Sequence, residues 1–284
     1  MMNKDFIGYA IMVTVAIIWG VGYTTIKICL EVLDPFTLGS LRFLFSAIFF
    51  LPLTFILWNK PTRKDLILII ILGLSGVSFY QIFYNLGANG ISAGLSSILI
   101  STEPIFIYFI SVAIRKDKIS FSKILGIIIS FVGIIFLFWY GINNSLEFIS
   151  IILILMASIS WSIYTVISKK VLEKYDALFV TSLSSLFGTL FLMPFLVNAP
   201  GEIIKMNSLQ IFSFSFLVIF ATFLAFYLNF KGVQILNATR ASVFYYLSPV
   251  FTIISAYFLI NELITINMII GGILIIGGVA IVNK

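Results

Sequence analysis

The stretch ISTEPIFI, residues 100–107, sets Glu103 beside Pro104 inside an otherwise apolar run. A carboxylate at that depth of a membrane span is costly, and an ionisable group so placed points to function. Two readings are open. Glu103 carries a proton or meets a cationic part of a substrate; or it is a packed carboxyl group, hydrogen-bonded to a neighbouring helix or to backbone released by Pro104. Ser96, Ser97 and Ser101 line the adjacent stripe. Elsewhere, aromatic and amide side chains recur at helical spacing: Trp19 with Tyr23, Tyr80 with Tyr84 beside Gln81 and Asn85, Trp161 with Tyr164, Tyr227 with Asn229, and Tyr245 with Tyr246. Together they suit an uncharged cavity for amphipathic or aromatic solutes and cations. Taken singly, each ring can equally anchor at an interface or pack. The candidate substrate-binding set is Trp19, Tyr23, Tyr80, Gln81, Tyr84, Ser97, Glu103, Trp161, Tyr164 and Tyr245.

Composition removes most other chemistry. The chain contains no histidine, so histidine triads, relays and metal sites are out. Its single cysteine, Cys29, allows no internal disulfide. No catalytic residue, metal or cofactor is expected. At 61% hydrophobic and 10% charged residues, the chain falls outside the range of soluble domains.

The elements that must position these residues are membrane helices. Ten apolar runs match the hydrocarbon thickness: 6–28, 36–58, 66–88, 93–114, 123–141, 149–169, 177–197, 209–231, 238–260 and 265–282. The first is too long for a signal-peptide core and lacks an A-x-A site, so it reads as a retained span. If the N-terminus is cytoplasmic, fourteen of the 17 basic residues fall on the inner side, leaving only Lys27, Arg42 and Lys205. With short connections, that distribution predicts both termini inside. It also accounts for the net charge of +6 without nucleic acid. Lys27–Glu31 and Lys169–Glu173 read as i,i+4 ion pairs at helix ends, and Arg42 and Arg240 as snorkelling outward.

The halves repeat. At an offset of 142, Trp19 aligns with Trp161, Asp34 with Asp176, Ser40 with Ser182 and Pro52 with Pro194. After three extra residues near 198–208 the offset becomes 145, aligning Ser97 with Ser242, Pro104 with Pro249, Asp117 with Glu262 and Gly133 with Gly278. Glu103 aligns with Ser248. Each half, 1–141 and 149–284, holds five spans, an odd number, so the second enters the membrane upside down. Such inverted repeats build secondary transporters with a midplane site. The pair Pro104 and Pro249 reads either as a gate or as a static bend.

WGVGYTTIK (19–27), SLRF (40–43) and NATRASVFYYLSPVF (237–251) followed by NE (261–262) resemble signatures of the drug/metabolite transporter superfamily, in its EamA-like ten-helix branch. The resemblance spans essentially the whole chain. It departs at RKDK (115–118), where the family carries an apolar run ending in Gly-Glu. It implies a central cavity between two five-helix bundles, export of small metabolites and no cofactor. The expectation is therefore an all-α polytopic membrane protein of ten transmembrane helices in two inverted repeats. It would sit in the plasma membrane as a monomer or weak homodimer and export amino acids or related amphipathic or aromatic compounds by alternating access, with proton coupling an option. The partners expected are a small-molecule substrate and the lipid bilayer. The alternative is an integral-membrane enzyme acting on lipid or isoprenoid substrates, although no histidine or carboxylate cluster supports one.

The charge distribution generates the first prediction. In a Cys29→Ser background, Lys118→Cys labels with a membrane-impermeant thiol reagent only in inside-out vesicles. Labelling in intact cells would reject the orientation.

Overall fold

A computed structural model describes residues 4–115, 121–141, 145–197, 199–236 and 238–282. It is an all-α polytopic membrane protein. Among the described residues ten long helices follow in order, with one short helix, Ala199–Ile203, between the seventh and the eighth: α1 Lys4–Cys29, α2 Pro35–Ile56, α3 Arg63–Gly90, α4 Ala93–Ala113, α5 Phe121–Gly141, α6 Ser145–Leu172, α7 Ala177–Leu196, α8 Ser208–Leu236, α9 Arg240–Ile260 and α10 Ile266–Val282. Eight are long and apolar enough to cross a membrane, while α5 and α10 carry shorter apolar stretches, Ile124–Leu137 and Ile266–Gly278. Asp117, the repeat partner of Glu262, lies outside the described residues.

Local chemistry starts and stops the helices. Asp34 accepts from the Phe36 and Thr37 amides ahead of α2, with Pro35 in the first turn. Thr62, Ser92 and Asp176 cap α3, α4 and α7 in the same way. A capping box of Asn207 and Gln210 opens α8. Asn261, the one described non-glycine residue with positive φ (52°), closes α9 in the left-handed conformation.

Four interruptions set the shape of the interior. Gly73–Phe79 in α3 and Leu217–Leu224 in α8 are π-helical. α4 breaks at Ser101 and Thr102 and restarts at Glu103, while α9 passes through a 3₁₀ segment, Val243–Leu247, before restarting at Ser248. The π segments correspond at an offset close to 145, and so do the two restarts. Pro104 and Pro249 therefore sit in the first turn of a new helix, where a missing N–H leaves nothing unbonded. They mark restarts; neither is the mid-helix kink that spacing suggests.

Packing follows the repeat as well. α1 packs against α8 and α9, α6 against α3 and α4, α2 against α7, and α5 against α10. Exchanging the halves maps this set onto itself. Small residues allow the closest approaches. On α10, a Cβ at Gly278 would come within 2.6 Å of the Ser130 amide nitrogen on α5, whereas one at Gly277 would meet nothing within 4 Å.

Gly278→Val should destabilise the protein in detergent by about 1–3 kcal/mol through overpacking, and Gly277→Val should leave the melting temperature unchanged. Equal melting temperatures for the two variants would refute the close α5–α10 contact.

Candidate functional site

Trp19 and Trp161, partners in the repeat, meet edge-on with ring centroids 5.1 Å apart. Two residues related by the exchange of halves can touch only near its axis, so the contact locates the centre of the molecule. Around it lies a small cavity lined by Trp19, Gly22, Tyr23 and Ile26 of α1, Arg42 of α2, Tyr80 and Gln81 of α3, Glu103 of α4, Trp161 of α6, and Ala221 and Phe226 of α8. Its volume is about 20 Å³, room for about one water.

The structure thus brings together six of the ten residues predicted from sequence: Trp19, Tyr23, Tyr80, Gln81, Glu103 and Trp161. Three more stand directly behind them. Tyr84 packs on Tyr80 at 5.7 Å and on Tyr23 at 5.2 Å. Tyr164 packs on Trp161 at 4.7 Å and Tyr245 on Trp19 at 5.7 Å. Polar bonds hold this outer row, with Tyr84 Oη 3.1 Å from Ser96 Oγ and Tyr245 Oη donating to Asn229 Oδ1 at 2.7 Å. Ser97 does not reach the cavity: it is buried and donates to the Gly94 carbonyl of its own helix at 2.8 Å.

Glu103 is 3% exposed. Its carbonyl accepts from Ser162 Oγ at 3.0 Å, which ties α4 to α6. Among the described residues its carboxyl group has no recorded hydrogen bond and no cation within ion-pair distance. As the first residue of the restarted helix, it stands at the positive end of that helix dipole.

Arg42 overturns the snorkelling expectation. It lies two turns into α2, about 10 Å along the axis, is 4% exposed and points into the cavity. Its Nε donates to Thr222 Oγ1, its Nη2 to the Ala221 carbonyl at 3.1 Å and its Nη1 to Gln81 Oε1 at 3.4 Å. Ala221 and Thr222 belong to the π segment of α8, and Trp19 Nε1 donates to the same Ala221 carbonyl at 3.0 Å. Sequence reasoning passed over Arg42, Gly22, Ile26, Ala221 and Phe226. Arg42 alone carried a signal, as a charge deep in α2 whose repeat partner is Ser184.

Contacts between the halves close both ends. On the face bearing the start of α3, Asp65 accepts from Lys174 Nζ at 2.9 and 3.1 Å and from Tyr175 Oη at 3.0 Å. The carboxylate holds the Lys174 ammonium above its ordinary range. Arg240 pairs with Asp5 at 3.0 Å on the same face, partly exposed. On the opposite face Gln210 donates to Glu31 at 3.2 Å, and Glu262 accepts from the Ala93 and Gly94 amides at 2.9 and 2.7 Å. The expected pairs Lys27–Glu31 and Lys169–Glu173 are absent among the described residues. Lys27 instead donates to the Ala88, Asn89 and Ile91 carbonyls at the end of α3.

Fold and site together define a polytopic membrane protein whose two halves share a buried cavity of aromatic and polar side chains. The chain belongs to the EamA-like transporter family, whose model matches residues 6–139 and again 148–284. It is similar to an uncharacterized transporter of Archaeoglobus fulgidus, 33% identical over 91% of both chains. It also resembles the uncharacterized transporter YdfC of Bacillus subtilis, 27% identical over 87% of this chain and 81% of the relative. A solved crystal structure shares the fold with a TM-score of 0.64 at 16% identity, covering 96% of this chain and 95% of the other. The protein is a membrane transporter.

The closing contacts generate a prediction. With Ile26→Cys as a cavity probe in a Cys29→Ser background, Asp65→Ala should speed labelling from the face bearing Thr62. The gain should be modest, roughly threefold to tenfold, because the Lys174 end of the contact is exposed and screened by water. Unchanged labelling would mean that Asp65 does not hold the cavity shut.

Proposed function

We propose that the protein is a secondary transporter that exports small amphipathic metabolites, amino acids or related aromatic compounds among them, across the plasma membrane by alternating access. The observation that carries this reading is the buried cavity on the axis between the halves, with Glu103 inside it. Both halves supply its walls, and each face is closed by bonds that join one half to the other. Breaking the Asp65 contacts opens one side; breaking the Gln210–Glu31 and Glu262 contacts opens the other. Two five-helix units of opposite orientation, residues 1–141 and 149–284, give those states similar energies. The paired π segments and paired helix restarts support the repeat. The basic residues support cytoplasmic termini. A single chain builds the whole cavity, which favours action as a monomer or weak homodimer.

Glu103 is the proton-coupling group in this reading. Ionised and buried, it calls for a cation, which the substrate's ammonium supplies; without substrate, a proton serves. One site then exchanges proton for substrate.

Glu103→Gln keeps the shape and cannot titrate. In proteoliposomes it should abolish uptake driven by an imposed pH gradient while substrate counterflow persists. Wild-type behaviour of this variant at every pH would make Glu103 a packed carboxyl group.

A further inference from the structure

Arg42 carries a buried charge with no contact ion pair among the described residues, although Glu103 lines the same cavity. A guanidinium stays protonated in any protein environment, and burying it without a counter-charge is costly unless something else compensates. Its three acceptors, Thr222 Oγ1, the Ala221 carbonyl and Gln81 Oε1, are all neutral. Among the described residues the ion pairs are Lys174–Asp65 and Arg240–Asp5, both at the ends of the molecule. Those three bonds use three of the five guanidinium N–H groups and leave one on each Nη.

A second donor points the same way. Gln81 is 1% exposed, lines the same cavity, and has no acceptor for its Nε2. Its Oε1 is taken by Arg42, so the amide is oriented with its N–H groups directed elsewhere. A buried donor without an acceptor destabilises the fold that holds it. The cavity therefore holds one positive charge and at least three N–H groups that await an acceptor.

We infer that Arg42, seated on the π segment of α8 and assisted by the Gln81 amide, binds the carboxylate of the transported solute. The inference rests on the transport reading and specifies its substrate class. One guanidinium matches a monoanion of carboxylate geometry, which can take two parallel N–H bonds. Among the described residues no second basic residue lines the cavity to balance a phosphate dianion. Glu103 then takes an ammonium group on the same molecule, and the aromatic wall takes its side chain. Such a solute enters as a zwitterion when one face opens, since the closed cavity has room for about one water. It supplies each buried group with an opposite charge at hydrogen-bond distance, so two desolvated charges are paired in one binding event.

The test is counterflow in proteoliposomes with a mixture of the common amino acids, the matched mixture of their carboxamides, and the matched decarboxylated amines. Wild-type protein should exchange the acids at least tenfold faster than the amides or amines. Arg42→Lys, which keeps the charge and loses the fork, should reduce that preference about tenfold. Exchange of amides or amines as fast as acids overturns the carboxylate site while leaving transport intact. Equal loss of acid and amide exchange in Arg42→Lys assigns Arg42 to the scaffold and overturns the site as well. Exchange of none of the three mixtures overturns the substrate class, and with it this site. The wild-type comparison needs no variant, so misfolding of Arg42→Lys does not obscure the answer.

Discussion

Hydrocarbon offers no hydrogen bonds, so a chain that crosses it must satisfy its own backbone. Regular helices do this at no further cost. Each departure from regularity releases carbonyls that another part of the protein must bond. In this transporter the described departures concentrate around the cavity, and their partners come from across the helix interface. The π segment of α8 offers the Ala221 carbonyl, taken by Trp19 and Arg42. The π segment of α3 offers the Ser75 carbonyl, taken by Ser160 of α6 at 2.8 Å. Just after the break in α4, the Glu103 carbonyl accepts from Ser162 of α6. Irregular backbone and functional side chains are thus two aspects of one constraint. At α8 the groups that line the cavity, Trp19 and Arg42, are also the groups that make its distorted wall tolerable.

The same constraint turns the usual distribution of polarity inside out. Serines and threonines fill the interior, where their hydroxyls bond the carbonyl one turn back, as in Ser46 to Arg42 and Thr54 to Phe50. The lipid-facing surface is a band of large apolar residues, such as Ile128, Phe131 and Ile135 on α5 and Ile269, Ile270 and Ile273 on α10. Association of the helices relies on close fit, because lipid is as apolar as any leucine. Glycines at the α5–α10 seam provide that fit.

Much of this was legible in the sequence, because hydropathy and the register of rare residues are properties of one chain read in order. The aromatic set was legible for the same reason, since Trp19 with Tyr23 and Tyr80 with Tyr84 share a face by spacing alone. What spacing cannot supply is the identity of the neighbour across a gap. Lys27 and Glu31 are at the right interval to pair, yet the end of α3 offers Lys27 three carbonyls and α8 offers Glu31 the Gln210 amide. Ser97 lies on a plausible stripe, but the break after Ile100 reorients α4 beyond it. Arg42 was misjudged because a regular α8 would have had no carbonyl to spare for it, and nothing in LVIFATFL announces a π segment. The role of Pro104 stayed open for a related reason: it depends on a helix restart that hydropathy does not mark.

The repeat is least exact where charge enters. Arg42 and Glu103, the two ionisable residues of opposite sign in the cavity, both lie in the first half, and their partners in the second are Ser184 and Ser248. The scaffold is symmetric in its π segments, restarts and packing, while both charges lie in the first half and Arg42 is bonded to the π segment of the second. An exact repeat would duplicate each charge, placing two guanidinium groups and two carboxylates around a cavity of about 20 Å³. Like charges at such range disfavour each other's ionised form. Replacement of one member of each pair by serine leaves a single cation and a single anion, each able to be matched by one end of a small zwitterion.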